Sequence, residues 1–233
     1  MQEMTRMTEP VLGISAVPTK LHRFLGVELE IAPGVLVPRE ETELLGLTAI
    51  SILTEEQAGP LVIDMCCGSG NLGLAVAGAI ATARVLGADL TDETVGLARR
   101  NVERLGFGPR VKIFQGDLFD AMNGQDLAGK VDMIICNPPY ISARRLEDSL
   151  AHLLVDEPRE AFDGGPFGIS ILQRVVRDSV PFLRPGGTLV FEFGEGQHQQ
   201  VAHLLTRVSA YDQVSFVDNE AGIPRVAVAR KQV

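Results

Sequence analysis

Residues 61–89 read LVIDMCCGSGNLGLAVAGAIATARVLGAD, and their order decides the fold. "LVIDM" is a short apolar run of the kind that forms a buried strand. "CCGSGNLG" breaks it with glycines, which supply the positive φ that a tight strand-to-helix turn demands. "NLGLAVAGAIA" is a helix of small residues, able to pack closely on a sheet, and "RVLGAD" is a second strand. A strand, a glycine turn, a helix and a strand make one β-α-β unit, which places the two strands parallel. Gly68-x-Gly70-x-x-Gly73 also has the literal spacing of a dinucleotide fingerprint, with Asp89 following where a ribose-binding acid belongs. A tight turn that binds nothing is the plainer alternative.

The same rhythm continues downstream. "TDETVGLARRNVERLG" reads as a helix with Thr91 as its N-cap. "VKIFQGD" and "VDMIIC" are the third and fourth strands, "GISILQRVVRDSVPFL" a helix, "GGTLVFEFG" a fifth strand and "GQHQQVAHLLTRV" another helix. "QVSFVD" and "IPRVAVAR" close the sheet. The expectation is an α/β fold: a seven-stranded, mostly parallel sheet covered by helices on both faces. Upstream, "FLGVELEI" alternates, "APG" turns and "VLV" returns, which predicts a small hairpin with these as its two arms. Residues 39–56 have helical spacing with acids in the first turn. The first twenty residues lack periodicity and are expected to be mobile. Residues 1–57 are thus a lead segment with hairpin and helix, and 58–233 the catalytic domain.

Bulk properties exclude several classes. The chain has 233 residues, 45% of them hydrophobic, enough for one sizeable core. It has no apolar run long enough to span a bilayer, and its first ten residues do not read as a secretory signal, so none is expected. Three cysteines, two of them adjacent, make no disulfide framework and fit a reducing cytoplasm. No Cys/His group has metal-ligand spacing, so no metal is expected. A formal net charge of −9 opposes phosphate-backbone binding, so nucleic acid is not the expected partner.

The ends of the strands carry the chemistry. Asp64 precedes the glycines, where a carboxylate suits the cationic end of S-adenosylmethionine and would repel a pyrophosphate. Asp89 ends the second strand and Asp117, in "GDLF", follows the third, positions suited to ribose hydroxyls and adenine. Three successive carboxylates are therefore expected at one cleft, which moves the choice from a nicotinamide cofactor toward S-adenosylmethionine. After the fourth strand comes "CNPPYI", residues 136–141. Two prolines cannot extend a central strand, so a stiff loop starts at its carboxyl end. The Asn137 side-chain oxygen and the Pro138 carbonyl can accept both hydrogens of an –NH₂ group, and Tyr140 can stack on the planar group that carries it. An amide nitrogen is a poor nucleophile, so orientation toward an electrophilic methyl is the main lever.

"VLVPREETELL", "DMCCGSGNLGLA", "GDLFD", "CNPPYI", "EPREAFDGGPFGI", "LRPGGTLVFEFGEGQ" and "RVAVAR" resemble, in this order, the catalytic domain of the HemK/PrmC protein-glutamine methyltransferases. The resemblance implies a class I methyltransferase fold. It implies S-adenosylmethionine along Cys66, Cys67, Gly68, Ser69, Gly70, Asp89 and Leu118, with Asp64, Leu90, Asp117 and Asn137 counted on the same side. Asn137, Pro138, Pro139 and Tyr140 fall on the acceptor amide, with Arg39 beside them. In the family, that acceptor is the glutamine of the release-factor Gly-Gly-Gln motif. Three departures stand out. No helical docking domain precedes the hairpin, which leaves the protein acceptor open. The usual Pro-Arg-Pro-Glu-Thr-Glu loop reads Pro38-Arg39-Glu40-Glu41-Thr42-Glu43, adding a carboxylate near the cleft. Cys66-Cys67 replaces the usual Gly-Thr. Besides methyl transfer to a planar amide or amine nitrogen, three readings stay open. One is small-molecule biosynthesis, by methylating a free metabolite or by cyclising S-adenosylmethionine to azetidine-2-carboxylate and methylthioadenosine. The others are a non-catalytic cofactor-binding subunit and, more distantly, a dehydrogenase.

Overall fold

The computed structural model describes residues 20–56, 59–148, 150–155 and 157–233. The expectation for the first twenty residues lies almost wholly outside them. A two-stranded hairpin, β1 (Lys20–Phe24) and β2 (Val27–Ile31), leads into helix α1 (Glu40–Glu56). There follow β3 (Leu61–Met65), α2 (Asn71–Ala79), β4 (Arg84–Asp89), α3 (Asp92–Arg104), β5 (Val111–Gln115) and β6 (Val131–Cys136). The chain continues through α4 (Ala143–Asp148), α5 (Ser170–Asp178), β7 (Leu183–Glu192), α6 (His198–Thr206), β8 (Tyr211–Asp218) and β9 (Pro224–Lys231). Among the described residues no helix is long and apolar enough to cross a membrane.

Seven strands form one sheet in the order β5-β4-β3-β6-β7-β9-β8. Only β9 runs against its neighbours, so the sheet is mostly parallel, the class I methyltransferase arrangement. The chain leaves β3 toward one edge through β4 and β5, then returns to place β6 on β3's other side. That reversal makes the β3/β6 junction the topological switch point, where open α/β sheets bind ligands outside the strand carboxyl ends. Met65 pairs with Cys136 there, so Cys66 and Asn137 leave the sheet side by side.

Alternate residues of the central strands feed two cores. Val62 packs with Leu72, Val76, Val85 and Val95 on one face, which also takes Phe24 and Leu29 from the hairpin and Leu45 and Leu53 from α1. Ile63 and Met65 pack with Leu172, Val176, Phe191 and Leu205 on the other. α3 starts as its sequence predicts, with the Thr91 side chain accepting from Thr94 N at 3.3 Å and Asp92 and Glu93 at the positive end of the helix dipole.

The hairpin differs from expectation. Its turn is Leu25-Gly26, inside "FLGVELEI", with φ of 42° and 84°. Two consecutive residues in the left-handed region suit the tight two-residue connection of a hairpin. The alternating run is thus one strand's end, a turn and the second strand. Val35-Leu36-Val37 is not a strand: the Val37 amide donates to Glu157 Oε1 at 2.9 Å. β5 ends at Gln115, before the Gly116-Asp117 step.

Candidate functional site

A cavity of about 380 Å³ opens at the carboxyl ends of β3, β4, β5 and β6. Its walls include Cys66, Gly68, Asp89, Leu90, Asp117, Leu118, Asn137 and Pro139 of the residues singled out in the sequence. Two of these, Cys66 and Leu118, hold positive φ, 59° and 50°. For side-chain-bearing residues that costs on the order of 1–3 kcal/mol each and persists only where surroundings enforce it.

Asp89 organises the cofactor side. Its Oδ2 accepts from Gly68 N at 2.7 Å, and Oδ1 accepts from Leu90 N at 2.7 Å and from the Thr94 hydroxyl at 3.0 Å. Three donors fix the carboxylate, and Oδ2 keeps a lone pair for a hydroxyl in the cavity. Leu90 beside it is exposed. A Cβ added at Gly68 would have nothing within 4 Å, so the glycine leaves open space along this wall.

Asp64 is not where the strand-end reasoning put it. It lies buried behind the glycine loop, off the cavity wall, with Oδ2 accepting from Gly73 N at 2.8 Å and Oδ1 unpartnered. Burial pushes its pKa up to about 7, opposed by the Gly73 hydrogen bond and reinforced by Asp89. The close fit explains Gly73: a Cβ there would meet Asp64 Oδ2 at 2.9 Å. Cys67 and Ser69 are buried and Gly70 opens α2 in the left-handed region at φ 84°. These three shape the loop from behind and do not line the cavity. Asp117 lines it, but its carboxylate is engaged by Arg174 at 2.9 Å.

Asn137 reaches the cavity wall with Nδ2 donating to Thr42 Oγ1 at 3.2 Å. Tyr140 turns away from it. The Tyr140 hydroxyl donates to Glu192 Oε1 at 2.8 Å and receives Arg225 Nη2 at 3.3 Å, while its carbonyl accepts from Gln197 Nε2 at 2.8 Å. Burial, then the Glu192 charge, raises the phenol's pKa, so it stays a donor. Pro138 is absent from the wall that Pro139 joins. Arg39 is also off the wall, paired with Glu157. That pair ties the loop before α1 to residues 158–163, several of which roof the cavity. The loop backbone is held by the same segment, with Ile141 N donating to Phe162 O at 2.9 Å and Gly164 N to Ile141 O at 2.8 Å.

Sequence reasoning missed four residues here. Thr42 was read only as part of the loop and helix that follow the hairpin, and Glu192 and Arg225 only as parts of two strands. Asn101, fully buried on α3, accepts from Glu30 N at 2.7 Å and donates to Glu30 O and Ser69 O at 3.0 Å each. It fastens the hairpin to the glycine loop.

The lining carries the carboxylates of Asp89, Asp117, Glu160 and Asp163 against one guanidinium, Arg159. Arg159 is itself paired with Glu147 and Asp163. Such a field suits a sulfonium and opposes a pyrophosphate, which removes the dehydrogenase reading. Together with the strand order β5-β4-β3-β6-β7-β9-β8, this acidic switch-point cavity is that of a class I methyltransferase that uses S-adenosylmethionine.

The comparisons agree. The methyltransferase small domain family matches residues 47–169. A release factor glutamine methyltransferase from Gloeobacter violaceus is 34% identical over 202 residues, 87% of this chain and 69% of that one. A 4-amino-L-phenylalanine/4-methylamino-L-phenylalanine methyltransferase from Streptomyces pristinaespiralis is 34% identical over 82% of this chain and 65% of its own. Among solved structures, a methyltransferase from Pyrococcus furiosus superposes with a TM-score of 0.62 at 16% identity, covering 88% of this chain and 89% of that one, a likeness of fold. The chain belongs to the HemK/PrmC family of S-adenosylmethionine-dependent N-methyltransferases.

Proposed function

We propose that this methyltransferase acts on the side-chain amide nitrogen of a glutamine presented by a protein, with a release factor as the substrate class. The single observation that carries this reading is the state of Asn137: its Nδ2 is committed to Thr42, so Oδ1 is the atom left to accept from a group in the cavity. The name of the Gloeobacter relative supports the choice of acceptor.

Bound S-adenosylmethionine supplies an electrophilic methyl on a cationic sulfur. The chain's own residues do the rest by binding and orientation. Asp89 and Leu90 hold the ribose and adenine side. Asn137 Oδ1 takes one of the two amide hydrogens and turns the nitrogen lone pair toward the methyl. Holding two reactants in one geometry can supply about 7–11 kcal/mol of a barrier. No strong base has to act first, since the nitrogen becomes acidic once it carries the extra methyl. The roof, residues 158–163, keeps water from competing.

The test is mass spectrometry of purified protein with S-adenosylmethionine alone, then with intact release factor, a Gly-Gly-Gln peptide or 4-amino-L-phenylalanine. One methyl added to the release-factor glutamine, with S-adenosylhomocysteine formed only when acceptor is present, is the expected result. Asn137→Ala should lower that turnover by about 10²-fold or more while S-adenosylhomocysteine affinity is retained. Methylthioadenosine formed without acceptor, or methylation confined to the free amino acid, refutes the reading.

A further inference from the structure

Gln197 caps the start of α6, at the end of the turn "GEGQ" that follows β7. Its main chain is rooted on both sides: its N–H donates to Gly194 O at 3.1 Å, and its carbonyl accepts from Val201 N at 2.9 Å. Its side chain ties three places together. Oε1 accepts from Gly194 N at 2.8 Å, while Nε2 donates to Tyr140 O at 2.8 Å and to Gly168 O at 3.2 Å. An N–H only donates and a carbonyl only accepts, so these partners allow a single orientation of the amide. Glycines make the room for it. A Cβ at Gly168, where φ is 71°, would run into Tyr140 O and stand 2.9 Å from Gln197 Nε2. A Cβ at Gly194 would meet Gln197 Oε1 at 2.9 Å and the Tyr140 ring at 3.0 Å.

The loop that carries Asn137 needs such a fastening. Pro138 and Pro139 have no N–H, so neither can be held through a main-chain donor. Before Asn137 the chain is held by the β6 ladder, where Cys136 pairs with Met65. Beyond the prolines it is held at Tyr140, gripped at both ends: the hydroxyl donates to Glu192 Oε1 at 2.8 Å and the carbonyl takes the Gln197 amide. The prolines fix φ at about −65°, so a shift at Tyr140 is passed on to Asn137 instead of being absorbed between them.

We infer that Gln197 is a positioning residue for methyl transfer: by fastening the Tyr140 carbonyl to the end of β7 and to Gly168, it sets where Asn137 stands against the cofactor's methyl. Gln197 lies off the cavity wall and acts on the reactants only through the loop. The inference rests on the role proposed for Asn137.

The experiment uses the full chain with S-adenosylmethionine and release factor, and the variants Gln197→Glu, Gln197→Met, Asn137→Ala and Tyr211→Phe. Gln197→Glu keeps an acceptor for Gly194 N but has no hydrogen for the two carbonyls, and Gln197→Met keeps the length and loses all three bonds. Each should lower kcat by about 10- to 10²-fold, the scale of a misplacement of about 1 Å. KM for S-adenosylmethionine and affinity for S-adenosylhomocysteine should change little. Tyr211→Phe removes a buried hydrogen bond of 2.6 Å to Ser179 and controls for general loosening: it should lower Tm and leave kcat unchanged. A second readout does not depend on turnover. The chain has two tyrosines, Tyr140 and Tyr211, so labelling tyrosine with ¹³C at the carbonyl gives two signals, and Tyr211→Phe assigns them. The Tyr140 signal should move in both Gln197 variants while the Tyr211 signal stays. Wild-type kcat in both Gln197 variants, an unmoved Tyr140 signal, or an equal fall of kcat in Tyr211→Phe overturns the inference. If Asn137→Ala itself keeps wild-type turnover, the functional reading fails first; if it is inactive while both Gln197 variants turn over normally, only the role of Gln197 fails.

Discussion

Asn101→Ala is the perturbation that most directly tests how the loop under the cofactor is held. The side chain is fully buried and makes three hydrogen bonds of 2.7–3.0 Å to main-chain groups of Glu30 and Ser69. Its amide mimics a neighbouring strand for β2 and anchors the middle of the glycine loop. Each bond contributes about 1 kcal/mol net, and a buried main-chain group left unpaired costs about 1–3 kcal/mol. Glu30 sits near the surface, where water can replace part of what is lost, whereas Ser69 is buried. The expected loss of stability is therefore roughly 3–4 kcal/mol, a large share of the ~5–15 kcal/mol that holds an ordinary domain together. Urea unfolding should show a lower midpoint with an unchanged slope. Affinity for S-adenosylhomocysteine should fall as well, since the loop that carries Gly68 loses its anchor. Asn101→Asp should be at least as harmful, because an ionised carboxylate would face two carbonyl oxygens it cannot pair with. A destabilisation of Asn101→Ala below about 1 kcal/mol, the value of a single exposed bond, would refute the reasoning.

Two further outcomes follow from the acids of the site. Asp64, with a pKa pushed from 3.8 up to about 7 chiefly by burial, binds its proton more tightly folded than unfolded. The stability linked to that proton is fully present below pH ~3.8, declines as pH rises and is gone above about 7, a span worth roughly 4 kcal/mol. Asp64→Asn should thus flatten the decline in Tm between about pH 4 and about pH 7, and identical slopes in the two proteins would sink the assignment. Asp89→Ala should weaken S-adenosylhomocysteine binding by about 1–3 kcal/mol by calorimetry, through the lost hydroxyl partner and the freed Gly68 and Thr94 donors; unchanged affinity would remove Asp89 from the cofactor side.

Much of the fold was legible because the central strands are short apolar runs ended by glycine, aspartate or proline, and the helices between them have clear periodicity. The hairpin was not, for a geometric reason. Leu25 shares the odd-numbered parity of Val27, Leu29 and Ile31, so alternation runs unbroken through the turn. A two-residue connection preserves the period of two, and Leu-Gly is not the Asn-Gly or Asp-Gly pair that marks such turns. Asp64 was misplaced by ignoring parity of the same kind. Residues two apart on a strand share a face, so Asp64 follows Val62 toward α2 and Gly73, while Met65 follows Ile63 and lines the cavity.

The network behind Asn137 was hidden by register. Thr42, Asn137, Glu192 and Arg225 lie far apart in sequence, and no local pattern brings them together. Two signals were nonetheless present: one acid within "TLVFEF" and one guanidinium within "IPRVAVA", each interrupting a strand otherwise fit for a core. Burying either charge alone would cost several kcal/mol, so each implies a partner that its own strand does not contain. β7 and β9 pair antiparallel with Glu192 opposite Val226, which sets Arg225 next to that pair, where its Nε donates to Phe193 O at 3.0 Å. Strand order alone would have left the pairing open, because the register of β9 on β7 decides which residue of β9 ends beside Glu192. The register is set by the apolar residues around the two charges, Phe191, Ala227 and Ala229 on one face and Val190 and Val226 on the other. Core packing thus decides where the buried acid Glu192 finds its counter-charge.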